Sequence, residues 1–406
     1  MRKVAVIAAA ATAAIGVLVP SVAGAEGPGG SAAHPSPGAI VGTYKGQDVQ
    51  CDPPTSPFGQ GAIVYQKPGV TVRKFTRTTG TPMYGARATV YGTPRVRPGP
   101  LLRGPITFLE TLREKFSTSG AYAAINGDFF DWGKTWASLG PEVLRGGRAI
   151  KGLSTPQNVM LRGLDGRAAT GQLWLTTGIS PGKSWVHAQS YNTDFLASNG
   201  ITLFDKYWGA ASRKWLAPTQ SPLREAIVSH GKVVSVSNTL TSKAVPPGGY
   251  AIVGQGSGAR SLDAAGLHVG GPITVDIRMH STSHTGVDSA IGVGLGLIHK
   301  GKYLGPACVA DRPLARTLVG VSNGGKTLIM IACEGSIDGG KKGRQGLSLR
   351  GASAVMMSMG ATDAAMFDGG GSTGMEVAGA RGVAQLTIPA DDADRHIPEG
   401  FAVWPR

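Results

Sequence analysis

Glycine occupies 62 of the 406 positions, and this abundance limits the possible folds more than any other feature. A residue without Cβ weakens helices, but it serves turns, bulges and places where two backbones meet. Against a usual share of about 7%, the excess predicts many short strands and tight connections and few long helices. Neither a collagen-like period nor a repeat of 20–50 residues is present. The apolar fraction of 41% is ordinary for a folded protein.

The first 25 residues read as an export signal. Arg2 and Lys3 precede an apolar run from Val4 to Val22, and Ala23-Gly24-Ala25 supplies small residues for cleavage. Residues 26–61, rich in Gly, Pro and Ser, read as a linker or loosely tied arm. Residues 62–406 then form the expected single large domain. No later stretch reaches the length of a membrane helix, so no membrane attachment is expected after cleavage. The net charge of +15 falls to +13 without the leader, which carries two basic residues and no acid. Such a charge favours anionic partners. No recognition helix, zinc-finger spacing or dense basic block accompanies it, so nucleic acid is not an expected partner. Of Cys51, Cys308 and Cys333, the last two are the expected disulfide pair in an oxidising compartment.

Alternating apolar positions predict strands at 62–65, 70–75 and 87–91. A helix is expected over 105–117, with Pro105 at its first position and Leu109, Leu112 and Phe116 on one face. A strand at 121–125 follows. A second helix is expected over 347–359, between an N-cap at Ser348 and a stop at Gly360. Many strands with a few segregated helices predict an α+β fold.

The densest chemistry is Asp368-Gly369-Gly370-Gly371-Ser372-Thr373, directly after the apolar strand 364–367. A carboxylate at a buried strand end is held rigidly, and three glycines expose main-chain N–H groups that can receive an anion. Gly370 to Gly374 also spells a serine-hydrolase elbow, but Met375 onward reads as a strand where that elbow needs a helix. Asn126-Gly127-Asp128-Phe129-Phe130 ends another strand, with Trp132 and Trp136 close by to face a sugar ring. Arg316-Thr317 opens a strand and offers a bidentate cation to phosphate. Glu334 ends one more apolar strand. His280 and His284 lack the helix that a zinc pair needs, and Gly292-Val293-Gly294-Leu295-Gly296 lacks the helix of a dinucleotide site. No cofactor is predicted; Asp391, Asp392 and Asp394 offer calcium ligands, but a solvated acidic loop is the plainer reading.

Taken in order, these motifs resemble the phosphodiester glycosidase family over roughly residues 105–404. They comprise Asn-Gly-x-Phe-Phe, Trp208-Gly209 after Ile201–Phe204, Arg-Thr-x-x-Gly, then a helix, a strand and Asp-Gly-Gly-Gly-Ser-Thr. Asp128 and Glu334-Gly335-Ser336 depart from it, standing where the family often has Gly and Asp-Gly-Arg. The resemblance implies hydrolysis between an anomeric carbon and a phosphodiester oxygen. The expected catalytic residues are Asp368, Glu334, Asp128 and Asn126. The expected substrate-binding residues are Arg316, Thr317, Gly369, Gly370, Gly371, Ser372 and Thr373, and the expected partner is an anionic sugar phosphate or phosphate-bearing glycan. Two other readings fit the same residues: a non-catalytic polysaccharide-binding or cell-wall-binding protein, and a phosphodiesterase that cleaves P–O.

Overall fold

In the computed structural model the described residues are 40–44, 47–51, 61–76, 81–93, 95–182, 184–304, 312–336, 345–380, 382–391 and 393–406. The expected leader, most of the expected arm, Cys308 and Asp392 lie outside them, and with Cys308 the expected disulfide; within the arm, Ile40–Tyr44 and Gln47–Cys51 pair as antiparallel strands.

Two sheets frame the region that matters for function. One has eight strands, in the spatial order Lys302–Tyr303, Gly296–His299, Asp363–Met366, Arg316–Ser322, Thr327–Cys333, Pro82–Thr89, Val70–Thr76 and Ala62–Lys67. The other has five: Gly382–Gln385, Met375–Gly379, Ala123–Asn126, Gly400–Pro405 and Val96–Leu101. Their facing surfaces share one core. Val319, Val321 and Met330 of the first sheet meet Ile125, Val377, Phe401 and Val403 of the second. The period of two in a strand sends the alternate residues outward. Leu318, Ile329 and Ile331 therefore pack under the helix Leu349–Ser358, while Ala124, Ala402 and Trp404 pack under the helix Leu112–Ser117. The result is helix, sheet, sheet, helix. Both faces of Arg316–Ser322 are covered and all seven of its residues are buried, which explains the apolar stretch Leu318–Val321 at its centre. A third sheet of twelve strands, built from residues between Glu142 and Gly292, has its own core around Leu173, Leu175, Leu203 and Ile252. The α+β expectation holds, with strand far in excess of helix.

The second helix is read correctly, with Ser348 accepting from the Gly351 N–H as its cap. The first is a correction. It begins at Leu112, where Thr111 and Glu114 form a reciprocal capping box. Ahead of it, the Ile106 N–H donates to Tyr207 O at 2.9 Å and Thr107 Oγ1 donates to Trp208 O at 2.8 Å. Those tertiary bonds hold residues that helical periodicity had claimed.

Candidate functional site

The strand ends of the two facing sheets meet at Asn126. Its Oδ1 accepts from Thr317 Oγ1 at 2.5 Å and from the Gly374 N–H at 3.2 Å. Its Nδ2 donates to Asp368 O at 2.9 Å and, more weakly, to Gly127 O at 3.3 Å. A primary amide has two donors and two acceptor positions, so all of its capacity is used within the protein. Asn126 is thus a buried clamp that joins the Ala123–Asn126 strand to Thr317 and to both ends of the glycine loop. Asp368 is tied a second time, its N–H donating to Gly127 O at 3.1 Å.

The loop is a single tight turn over Gly370–Ser372 that runs straight into the strand Met375–Gly379, so the serine-elbow geometry is absent. The Gly369 N–H donates to Asp368 Oδ1 at 2.9 Å and the Gly370 N–H to Ala315 O at 2.9 Å. Two amides expected to cradle phosphate are therefore spent on aiming the carboxylate and anchoring the turn. The Ser372 hydroxyl lies beside the Asp368 carboxylate.

Asp128 is only 6% exposed. Its Oδ2 accepts from the Gly140 N–H at 2.9 Å. A Cβ at Gly140 would sit 2.3 Å from that oxygen, and one at Gly292 only 2.2 Å from it. Both positions must be glycine for the carboxyl to fit between them. Burial pushes Asp128 up to about 7, and the neighbouring charges of Asp368 and Glu142 push in the same direction. Burial also raises Asp368, against the Gly369 hydrogen bond, the nearby Ser372 hydroxyl and the positive charge of Arg395. Two dehydrated carboxyl groups thus lie within each other's field. That is the circumstance in which one carries a proton near neutrality while the other stays ionised.

The cation that bears on Asp368 is Arg395. Its Nη2 is 2.8 Å from Asp391 Oδ2, and its guanidinium lies 5.0 Å from the Trp132 ring centre. Gly371 leaves room for it, since a Cβ there would be 2.2 Å from Arg395 Nη2. Trp132 is 62% exposed and packs edge-on against Trp136 at 5.2 Å. Arg316, the cation expected to clamp phosphate, is buried; its Nε donates to Leu347 O at 3.0 Å and its Nη2 to Arg312 O at 3.4 Å. Glu334 is also buried, and its Oε1 accepts from the Ile388 N–H at 3.1 Å. It braces the segment that leads to Asp391 and Arg395. Thr317 holds Asn126, and Thr373 is buried in the turn.

Four groups escaped the sequence reading: Arg395, Glu142, Glu399 and the Gly140/Gly292 pair. The glycines had a signal. Gly292 ends a strand, where a missing side chain marks a close backbone approach, a signal separate from its place in a dinucleotide-like glycine spacing. Arg395 was masked by the acidic residues before it. Of the two histidines weighed as a zinc pair, His280 stacks on Trp174 at 5.5 Å and His284 lies by Asp165. Among the described residues no cluster of three or more metal-ligating side chains occurs. None of their helices is long and apolar enough to cross a membrane.

Comparison with known proteins adds a family. Residues 224–404 match the phosphodiester glycosidase family, a stretch that includes Arg316, Glu334, the glycine loop, Arg395 and Glu399. A hypothetical protein from Synechocystis shares the fold at a TM-score of 0.68 and 20% identity, over 91% of this chain and 68% of that one. A protein from Burkholderia pseudomallei, described as exported, aligns at a TM-score of 0.62 and 20% identity, over 82% of this chain and 75% of that one. The catalytic domain of zebrafish N-acetylglucosamine-1-phosphodiester alpha-N-acetylglucosaminidase aligns at a TM-score of 0.43 and 13% identity, over 86% of this chain and 87% of that one. No curated protein matches the chain in sequence.

Proposed function

Starting from the match of residues 224–404 to the phosphodiester glycosidase family, we propose that this protein is a secreted glycosidase acting on sugar-1-phosphate diesters. It hydrolyses the bond between the anomeric carbon and the diester oxygen. The observation that carries the reading is the pairing of Asp368 and Asp128, two buried carboxyls in one electrostatic field, beside Arg395 and the exposed face of Trp132.

The chemistry follows from those groups. The C–O bond breaks with its electron pair going to the phosphate oxygen, and the sugar passes through an oxocarbenium-like state that the Asp368 carboxylate stabilises. Water supplies a hydroxyl to the anomeric carbon. Its proton passes to the ionised form of Asp128, whose titration near 7 suits exchange in both directions. The products are a free sugar and a phosphomonoester. Because the leaving group is already a good one, the protein's main task is to bind its charge. Arg395 takes this role in place of Arg316, and the Trp132 indole offers an apolar face to the sugar ring. Asn126, Thr317 and Glu334 act by holding the loop and the Arg395 segment, not by touching substrate.

Asp368→Asn is the first test. With folding confirmed by circular dichroism, turnover of a sugar-1-phosphodiester is expected to fall about 1,000-fold; near-normal turnover would remove Asp368 from the mechanism. Hydrolysis in heavy-oxygen water is expected to place the label in the sugar. Label in the phosphate would mean P–O cleavage, and ligand-dependent thermal protection without product would mean a binding protein.

A further inference from the structure

Behind Asp128 lie two more carboxyls that this mechanism leaves unused. Glu399 is 1% exposed and Glu142 0%. Glu399 Oε1 accepts from the Asp128 N–H at 3.1 Å, and Glu399 O accepts from the Gly127 N–H at 3.2 Å. Glu142 Oε1 accepts from the Ser138 hydroxyl. The two carboxyls lie within hydrogen-bonding reach of each other. The remaining oxygen of each, Oε2, is fully buried and finds no donor among the described residues. Two facing carboxylates cannot satisfy one another, since each only accepts. One proton between them makes an O–H···O bond and cancels half the buried charge.

The surrounding charges do not provide another solution. Lys115, from the helix Leu112–Ser117, directs its Nζ to Phe108 O at 3.2 Å, and burial pushes it down to about 8. Lys151, from the strand Arg148–Leu153, directs its Nζ to Asn192 O at 3.2 Å and lies 3.8 Å from Asp194. Both act on Glu142 through space. On the other side of the pair, Asp128 faces Asp368. Burial and mutual repulsion raise Glu399 well above the ordinary carboxyl range, and burial raises Glu142.

We propose that Glu142 and Glu399 share a single proton and together form the positioning unit for Asp128, fixing its backbone through the N–H···Oε1 bond and placing one net negative charge behind its carboxyl. The functional half of this inference rests on the assignment of Asp128 to the reacting centre; the shared proton does not.

The test counts charge. In protein labelled with 13C-aspartate, the Asp128 carboxyl signal, identified by its absence in Asp128→Asn, is titrated by NMR. If the pair carries one proton, Glu142→Gln and Glu399→Gln each leave the net charge at minus one, because the amide donates to the remaining carboxylate. Neither single variant then moves the Asp128 midpoint, whereas the double Gln variant shifts it to lower pH by a unit or more. A shift in a single variant would mean that both glutamates are ionised; no shift in the double would mean that both are neutral. Either result overturns the proposal. Should the variants not fold, infrared spectra of 13C-glutamate-labelled Glu376→Gln protein decide at neutral pH, the substitution removing the other raised glutamate. A band of one protonated glutamate supports the pair, and a band of none or of two overturns it. Glu399→Ala, which removes the N–H acceptor, is expected to lower kcat about 100-fold with KM little changed, and Glu399→Gln is expected to restore most of it. A normal kcat in Glu399→Ala, with the charge count intact, would disprove the positioning role of the pair and leave Asp368 untouched.

Discussion

At the scale of single residues, the site separates groups that hold from groups that act. Asn126 holds. Its replacement by alanine strands the Thr317 hydroxyl and the Gly374 N–H in a buried place, and each unpaired group costs about 1–3 kcal/mol. Asn126→Ala is therefore expected to lose several kcal/mol in urea unfolding as well as activity. Arg395 acts. A charge-assisted hydrogen bond contributes about 1.5–3 kcal/mol, so Arg395→Gln is expected to lower kcat/KM on an anionic phosphodiester roughly 10- to 100-fold. An uncharged aryl glycoside of the same sugar should be almost unaffected; equal loss on both substrates would take phosphate recognition away from Arg395. Arg316→Gln should act through stability instead, because its Nε and Nη2 donate to main-chain carbonyls and its Nη1 to the Met366 sulfur.

At the scale of elements, the helix Leu349–Ser358 shows how the eight-stranded sheet is covered. Ala352, Val355 and Met356 of Leu349–Ser358 are buried against Leu318, Ile329 and Ile331. Met356→Ala is expected to cost about 2–5 kcal/mol, read as a lower urea midpoint at unchanged slope. Ser348→Ala, which removes only the cap, is expected to cost about 1 kcal/mol. This helix was legible because its periodicity, cap and terminal glycine agree. The helix over 105–117 was overextended because its first half has the right spacing but is bound to Tyr207 and Trp208, about a hundred residues away. Local pattern gives no sign of such a partner.

At the scale of the whole molecule, the raised carboxyls set how stability depends on pH. Burial pushes Glu376 up to about 8 and Asp128 up to about 7. In the unfolded chain these two groups ionise at about pH 4. Between those values the folded state holds more protons, so their contribution to stability is full below about pH 4 and declines as pH rises. The Glu142/Glu399 pair, with its one shared proton, adds a single group of the same sign. Each such group contributes a slope of about 1.4 kcal/mol per pH unit. Lys115 works the other way: its folded value lies near 8, below its unfolded 10.5, so its contribution recovers above pH 8. The melting temperature at constant ionic strength is expected to fall from about pH 4.5 to 8 and then level off. Glu376→Gln should make that fall less steep, and an unchanged slope would contradict the assignment.

The sequence by itself determined the α+β class, most of the strands, the second helix and the loop at Asp368. Each of these follows from neighbouring residues, whose alternation, capping and glycine content act over a few positions. The ordered motifs also pointed to the family that residues 224–404 match. Only the tertiary structure decided which groups face one another. It made Asn126 a clamp by surrounding it with Thr317, Asp368 and Gly374, and it turned Arg316 toward main-chain carbonyls. It brought Arg395 over Gly371 and lodged Asp128 between Gly140 and Gly292. Hydrogen-bond partnership and buried charge are properties of approach in space, and Thr317 and Asp368, 191 and 242 positions from Asn126, leave no local trace of it beside that residue.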